Sequence, residues 1–156
     1  MRVIAGIHKS KVLESLEGRN TRPTMDKVKE GIFNSLHEVS GLGLDLFAGS
    51  GALGIEALSR GMEKVIFVDQ NFKAVKVIKS NLKQLDLISQ SEVYKNNADR
   101  ALKALAKREI QFDYIFLDPP YNKGLIDESL KSIAEFNLLK ENGIIICEFS
   151  NDEHIQ

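Results

Sequence analysis

One cysteine stands in the chain, Cys147, and the three histidines, His8, His37 and His154, lie far apart. A lone cysteine excludes an internal disulfide framework, and scattered histidines exclude a Cys/His metal site. Cys147 sits mid-strand in "IIICEF" with no preceding proline and no obvious base, so it reads as a buried thiol rather than a nucleophile. No apolar run approaches the roughly 18 residues of a membrane span, and the start "MRVIAGIHKS" lacks the apolar core of a signal peptide. A cytoplasmic protein free of membrane and metal is the expectation. Charge of one sign is also missing: 21 basic and 22 acidic side chains leave a net of −1. What is present, 43% hydrophobic and 28% charged residues in 156, fits one globular domain with a sizeable core.

The balance of charge hides an asymmetry. Residues 1–29 carry seven basic side chains (Arg2, Lys9, Lys11, Arg19, Arg22, Lys27 and Lys29) against three acids. A solvated hairpin would explain it. An electrostatic grip on phosphates would also explain it, with Arg2, Lys9, Lys11, Arg19 and Arg22 as the phosphate-facing set.

The N-terminal stretches "MRVIAG" and "KVLESL" predict a small hairpin, and "GRNTRPT" a turn-rich bridge. Residues 1–23 then form a hairpin and linker, and 24–156 one globular unit. Thr24 is placed to cap a helix with Met25, Val28, Ile32, Phe33, Leu36 and Val39 on one face. From there strands and helices alternate. Strands are expected over 44–48, 65–68, 92–95, 112–117 and 144–149. Helices are expected over 52–60, 71–85, 98–107 and 125–136, with Asn142-Gly143 as the last turn. This alternation predicts an α/β fold, a mostly parallel Rossmann-like sheet covered on both faces. Ligands of such sheets bind at the carboxyl ends of the strands.

Three features fall at such ends. The first is "DLFAGSGALG", where Gly49, Gly51 and Gly54 spell G-x-G-x-x-G, a turn that lets the backbone approach a ligand. The spacing alone admits a ligand-free turn, a dinucleotide or S-adenosylmethionine. A P-loop is excluded, because no Lys-Ser or Lys-Thr follows the glycines. Asp45, four residues before Gly49, would repel a pyrophosphate but suits the ammonium and sulfonium of S-adenosylmethionine. The second feature is Asp69, an acid that can bond ribose hydroxyls or simply cap the helix that follows.

The third feature is "FLDPPYNKG". Two of the chain's three prolines are adjacent here. Pro119 holds Asp118 extended, Pro120 does the same to Pro119, and neither has an N–H. The result is a stiff bend whose carbonyls can face a ligand. Asp118 and the Pro119 carbonyl can each accept one N–H of an exocyclic amine, and Tyr121 can stack on its base. Holding both hydrogens aims the nitrogen lone pair at an incoming methyl group, by alignment and electrostatic preorganisation. Neither a metal nor a covalent intermediate is required.

At these residues the sequence resembles class I S-adenosylmethionine-dependent methyltransferases that act on amino groups. "MRVIAG", "TRPTMDKVKEGIFNSL", "DLFAGSGALGIEALSRG", "VDQN" and "DYIFLDPPY" together resemble the bacterial RsmD family. The resemblance implies methyl transfer to N2 of a guanine, guanine 966, in 16S ribosomal RNA, with the small ribosomal subunit or its assembly intermediate as partner. It implies that Asp45, Phe47, Gly49 and Gly51 line the methionine end of S-adenosylmethionine. Asp69, with Gln70 beside it, holds the ribose, and Asp99 with Ala98 meets the adenine. Asp118, Pro119, Pro120 and Tyr121 are the catalytic motif, and Arg22 and Thr24 border the cofactor or the RNA.

The same fold normally adds a helix and a reversed hairpin after the fifth strand. This sequence stops soon after that strand, at "EFSNDEHIQ", so the C-terminal hairpin strands are expected to be missing. Two other readings stay open at this point. A DNA adenine-N6 or cytosine-N4 methyltransferase shares the glycine turn and Asp-Pro-Pro-Tyr, though no target-recognition domain is evident. A non-catalytic nucleic-acid-binding module could keep the fold, though the intact acids count against it. Cys147 argues against a carbon-5 pyrimidine methyltransferase, which needs a nucleophilic cysteine.

Overall fold

The computed structural model describes residues 2–14, 23–36, 38–119 and 124–147. Its centre is a five-stranded, wholly parallel sheet of β1 (Leu42–Asp45), β2 (Lys64–Asp69), β3 (Ser91–Lys95), β4 (Phe112–Leu117) and β5 (Leu139–Cys147). The strand order is β3-β2-β1-β4-β5. The connection therefore reverses direction between β1 and β4, where open α/β sheets leave a crevice for a ligand.

Alternation along the strands sorts side chains to two cores. Val65, Phe67 and Phe116 point to one face and pack with α1 (Pro23–Leu36), α2 (Ala52–Ser59) and α3 (Phe72–Gln84). Leu44, Ile66, Val68, Ile115 and Leu117 point to the other face and pack with α4 (Ala98–Lys107) and α5 (Leu125–Glu135). Helix entry is locally encoded. Asn71 caps α3 by accepting from the Lys73 and Ala74 amides at 2.8 and 3.4 Å. Asn97 caps α4 through the Arg100 amide at 2.8 Å.

Some expectations shift. The first strand lies at Leu42–Asp45 rather than 44–48, because Leu46 to Ala48 already turn toward the glycines. Helix α1 begins at Pro23, whose fixed φ and missing N–H suit a first turn, so Thr24 lies inside the helix instead of capping it. Val28 is half exposed, while Lys29 is 4% exposed and takes the inward position, four residues before Phe33 and seven before Leu36. Asn142-Gly143 is not a turn before the last strand but a shift of register within it, between the partners of Phe112 and Tyr114.

Among the described residues the expected N-terminal hairpin is a single antiparallel bridge, Arg2 with Val12, not two strands. Buried side chains hold this segment in place of a ladder. Glu56, fully buried in α2, accepts from the Ile4 and Ala5 amides at 2.8 and 3.1 Å. Ser59 Oγ accepts from His8 N–H at 3.0 Å and donates to the Ala5 carbonyl at 2.5 Å. Val3 and Leu13 are buried in the α1–α3 core.

Candidate active site

Strand order brings three carboxylates to one end of the sheet. Asp45 ends β1, Asp69 ends β2, and Asp118 directly follows β4, with β1 paired between the other two. Each has a different local duty.

Asp45 is 1% exposed, and its Oδ2 accepts the Gly54 amide at 3.0 Å. Gly54 is three residues into α2, whose cap residue Gly51 has no side chain to satisfy that orphan N–H. Asp45 thus caps the helix from the neighbouring strand. Burial pushes its carboxyl up to about 7; the Gly54 N–H opposes this, and the charges of Asp118 and Asp69 add to it. A positive group placed here would relieve that crowding.

Asp69 is 8% exposed and bridges two elements. Its Oδ2 accepts the Gly49 amide at 2.8 Å, and its Oδ1 accepts the Asn71 amide at 2.9 Å. It therefore ties the glycine turn to the start of α3. Two carboxylate oxygens hold about four acceptor positions, so two remain for a ligand's hydroxyls.

The glycine turn is held in one shape. Gly51 has φ +85°, a left-handed value that favours glycine. Its N–H donates to the Ala48 carbonyl at 2.7 Å. At Gly54 the reason for glycine is space: a Cβ there would meet the Phe67 ring at 2.3 Å, so the third glycine lets α2 lie close on β2.

Beside these acids a cleft of about 690 Å³ opens at the carboxyl ends of the strands. Phe47, Asp69 and Gln70 form one wall, Ala98, Asp99 and Arg100 a second, and α5, from Leu125 to Ser132, a third. That size accommodates a nucleoside-sized ligand. Asp99 is exposed in the first turn of α4 and pairs with Lys103 at 3.2 Å. Asn96 and Asn97, which sequence reasoning assigned no role, also line the cleft. Their position just past β3 was the available signal.

The structure thus gathers Phe47, Asp69, Gln70, Ala98 and Asp99 on the cleft. Asp45, Gly49 and Gly51 are buried and do not line it. Asp118 is half buried and Pro119 buried. Pro120, Tyr121, Arg19 and Arg22 lie outside the described residues, as does the side chain of Thr24. Arg2, Lys9 and Lys11 are exposed on the N-terminal segment.

Sequence reasoning missed the ionic cluster under that segment. Glu56 Oε2 accepts from Arg60 Nε at 2.6 Å, Glu56 Oε1 lies 3.4 Å from Lys29 Nζ, and Lys29 donates to the Arg2 carbonyl at 2.7 Å. The i, i+4 spacing of Glu56 and Arg60 was visible, but their burial was not. Among the described residues no helix is long and apolar enough to cross a membrane, and no group of His, Cys, Asp or Glu could hold a metal ion.

Comparison with known proteins agrees with this architecture. A family model described as "Conserved hypothetical protein 95" matches residues 1–156. YlbH of Bacillus subtilis, named for rRNA methyltransferase activity, is 53% identical over 97% of this chain and 84% of its own. Ribosomal RNA small subunit methyltransferase D of Haemophilus influenzae is 36% identical over 98% of this chain and 80% of its own. The solved structure of yhhF from Escherichia coli, which carries a methyltransferase name, superposes with a TM-score of 0.84 at 29% identity, covering 100% of this chain and 85% of that one. With a five-stranded parallel sheet, a glycine turn bound to the β2 acid, and a match along its whole length, this chain belongs to the RsmD family of Rossmann-like methyltransferases.

Proposed function

We propose that this protein is an S-adenosylmethionine-dependent ribosomal RNA methyltransferase that modifies the exocyclic N2 of a guanine in the small-subunit RNA. The observation that carries the reading is Asp69 on the wall of a nucleoside-sized cleft, with Asp45 and Asp118 at the ends of the neighbouring strands at the switch point of the sheet. A buried acid crowded by two others suits a cationic ligand and disfavours a pyrophosphate. The names borne by YlbH and by methyltransferase D support the choice of ribosomal RNA over DNA.

When bound, S-adenosylmethionine supplies a methyl group activated by its sulfonium. Asp69 holds the ribose hydroxyls with the acceptor positions left after Gly49 and Asn71. Phe47, Ala98 and Asp99 contact the adenosine from the cleft walls. Asp118 and the Pro119 carbonyl accept the two hydrogens of the guanine amine and Tyr121 stacks on the base. This holds the lone pair in line with the methyl carbon. The new N–C bond forms as the methyl–sulfur bond breaks, the bonding pair stays on sulfur as a neutral thioether, and the nitrogen's surplus proton leaves to water. Residues 1–23, with Arg2, Lys9, Lys11, Arg19 and Arg22, meet RNA phosphates, and residues 24–156 form the methyltransferase unit.

The test is transfer of labelled methyl from S-adenosylmethionine to small-subunit particles, naked ribosomal RNA and DNA in parallel, with nucleoside analysis of the product. Label recovered as N2-methylguanosine from RNA is the expected result. Label in DNA alone, or on another base, overturns the assignment. Asp118→Ala should lower transfer by about 10²–10³-fold while leaving cofactor affinity within twofold; undiminished transfer removes Asp118 from the mechanism.

A further inference from the structure

The carboxamide of Asn81 occupies an unusual junction. Asn81 lies in α3, is fully buried, and makes three side-chain hydrogen bonds to two distant segments, using both of its N–H donors. Its Oδ1 accepts from Glu14 N–H at 2.7 Å, and its Nδ2 donates to the Glu14 carbonyl at 3.0 Å and to the Ser50 carbonyl at 3.1 Å. The partners fix the amide's orientation: turned over, its oxygen would face two carbonyls and its NH₂ an N–H.

Ser50 lies between the two glycines of the cofactor turn. The peptide linking Ser50 to Gly51 is gripped at both ends, its carbonyl by Asn81 and its N–H by the Ala48 carbonyl at 2.7 Å. Rotation of that peptide would change where the turn's backbone points. Ser59 and Glu56 also tether the N-terminal segment, but from α2, and none of their hydrogen bonds given by the structure reaches the turn.

We infer that Asn81 is a positioning residue for the cofactor site, making the docking of the basic N-terminal segment and the shape of the glycine turn one cooperative unit. The inference builds on the methyltransferase reading above. Displacing the segment at Glu14 releases two of the three Asn81 hydrogen bonds, and the Ser50–Gly51 peptide is held less firmly. Contact of the segment with RNA thereby communicates with cofactor affinity through a single side chain.

Three variants test this. Asn81→Ala removes the junction. Glu14→Pro removes the N–H that Asn81 accepts, at the cost of also restricting Leu13, and touches nothing in the turn. Ser59→Ala loosens only residues 5 and 8 from α2, leaves Glu14 on Asn81, and is the control. Calorimetry with S-adenosylhomocysteine should show about tenfold weaker binding for Asn81→Ala, several-fold weaker for Glu14→Pro, and no change for Ser59→Ala. In turnover, KM for S-adenosylmethionine should rise with kcat little altered.

Amide exchange at Gly51 reads the same coupling without ligand and should quicken in Glu14→Pro but not in Ser59→Ala. Should Asn81→Ala fail to fold, Glu14→Pro carries the test alone. If the parent protein binds no S-adenosylhomocysteine, the proposed function falls, and Gly51 exchange still decides the coupling. Unchanged Gly51 exchange in Glu14→Pro, or an equal effect of Ser59→Ala, overturns the inference.

Discussion

Asp45 shows how one side chain meets two demands. As a cap it satisfies an amide of α2, and as a buried acid it sits beside two further carboxylates. Its carboxyl titrates near 7 in the fold against 3.8 when free. The folded state therefore binds the extra proton between these values, so this group's stabilising contribution is present below about pH 4 and is lost as pH rises through 7. Asp45→Asn keeps an oxygen for Gly54 and has no charge to bury. Its melting temperature relative to the parent should climb between about pH 4 and pH 7 and level off above, a trend that a flat difference would refute. A cationic ligand reverses the preference. S-adenosylmethionine affinity should strengthen as pH rises through 7, by up to about tenfold per unit below that value, and calorimetry at several pH values checks it.

At the scale of elements, α2 is where sheet, turn and N-terminal segment meet. Its contact with β2 depends on the bare backbone of Gly54. Gly54→Ala places a methyl against the Phe67 ring, which is fully buried and cannot swing aside, so a loss of about 1–3 kcal/mol in urea unfolding is expected. The opposite flank of α2 is ionic. Glu56 accepts from two backbone amides and faces Lys29 and Arg60, whose side chains are 5% and 10% exposed. Glu56→Ala leaves two cations buried and two amides without an acceptor, at a cost of about 3–5 kcal/mol. Proteolysis within residues 2–14 should quicken along with it, and an unaltered digestion pattern would separate Glu56 from the docking of that segment. This cluster escaped the sequence pattern for a physical reason: lysine at position 29 turns inward where an acid 27 residues onward and the Arg2 carbonyl meet it, and neither partner is local in the chain.

For the whole molecule, the near-neutral net charge conceals a basic N-terminal segment, and Arg2, Lys9 and Lys11 stand exposed on it. Replacing these three with glutamate should weaken RNA binding by at least tenfold at low salt and flatten its salt dependence, with cofactor affinity within twofold; filter binding at several salt concentrations measures it. Equal loss of both affinities would deny the segment a direct RNA role. Helix α4 and strand β4 lie where periodicity places them, because their apolar patterns are strong and local. So do the acids at strand ends, since an acid just after an apolar run in an alternating chain must reach the carboxyl edge of a parallel sheet. Sequence alone therefore determined the fold class and that Asp69 and Asp118 stand at that edge; Asp45, expected inside a strand over 44–48, reaches it because β1 ends at 45. Tertiary structure decided that Asp45, Asp69 and Asp118 stand together, since only the order β3-β2-β1-β4-β5 sets β1 between β2 and β4. It also decided that Lys29, Glu56 and Asn81 are buried: local pattern reports which way a residue faces, whereas burying a polar group requires a partner that only the folded chain supplies.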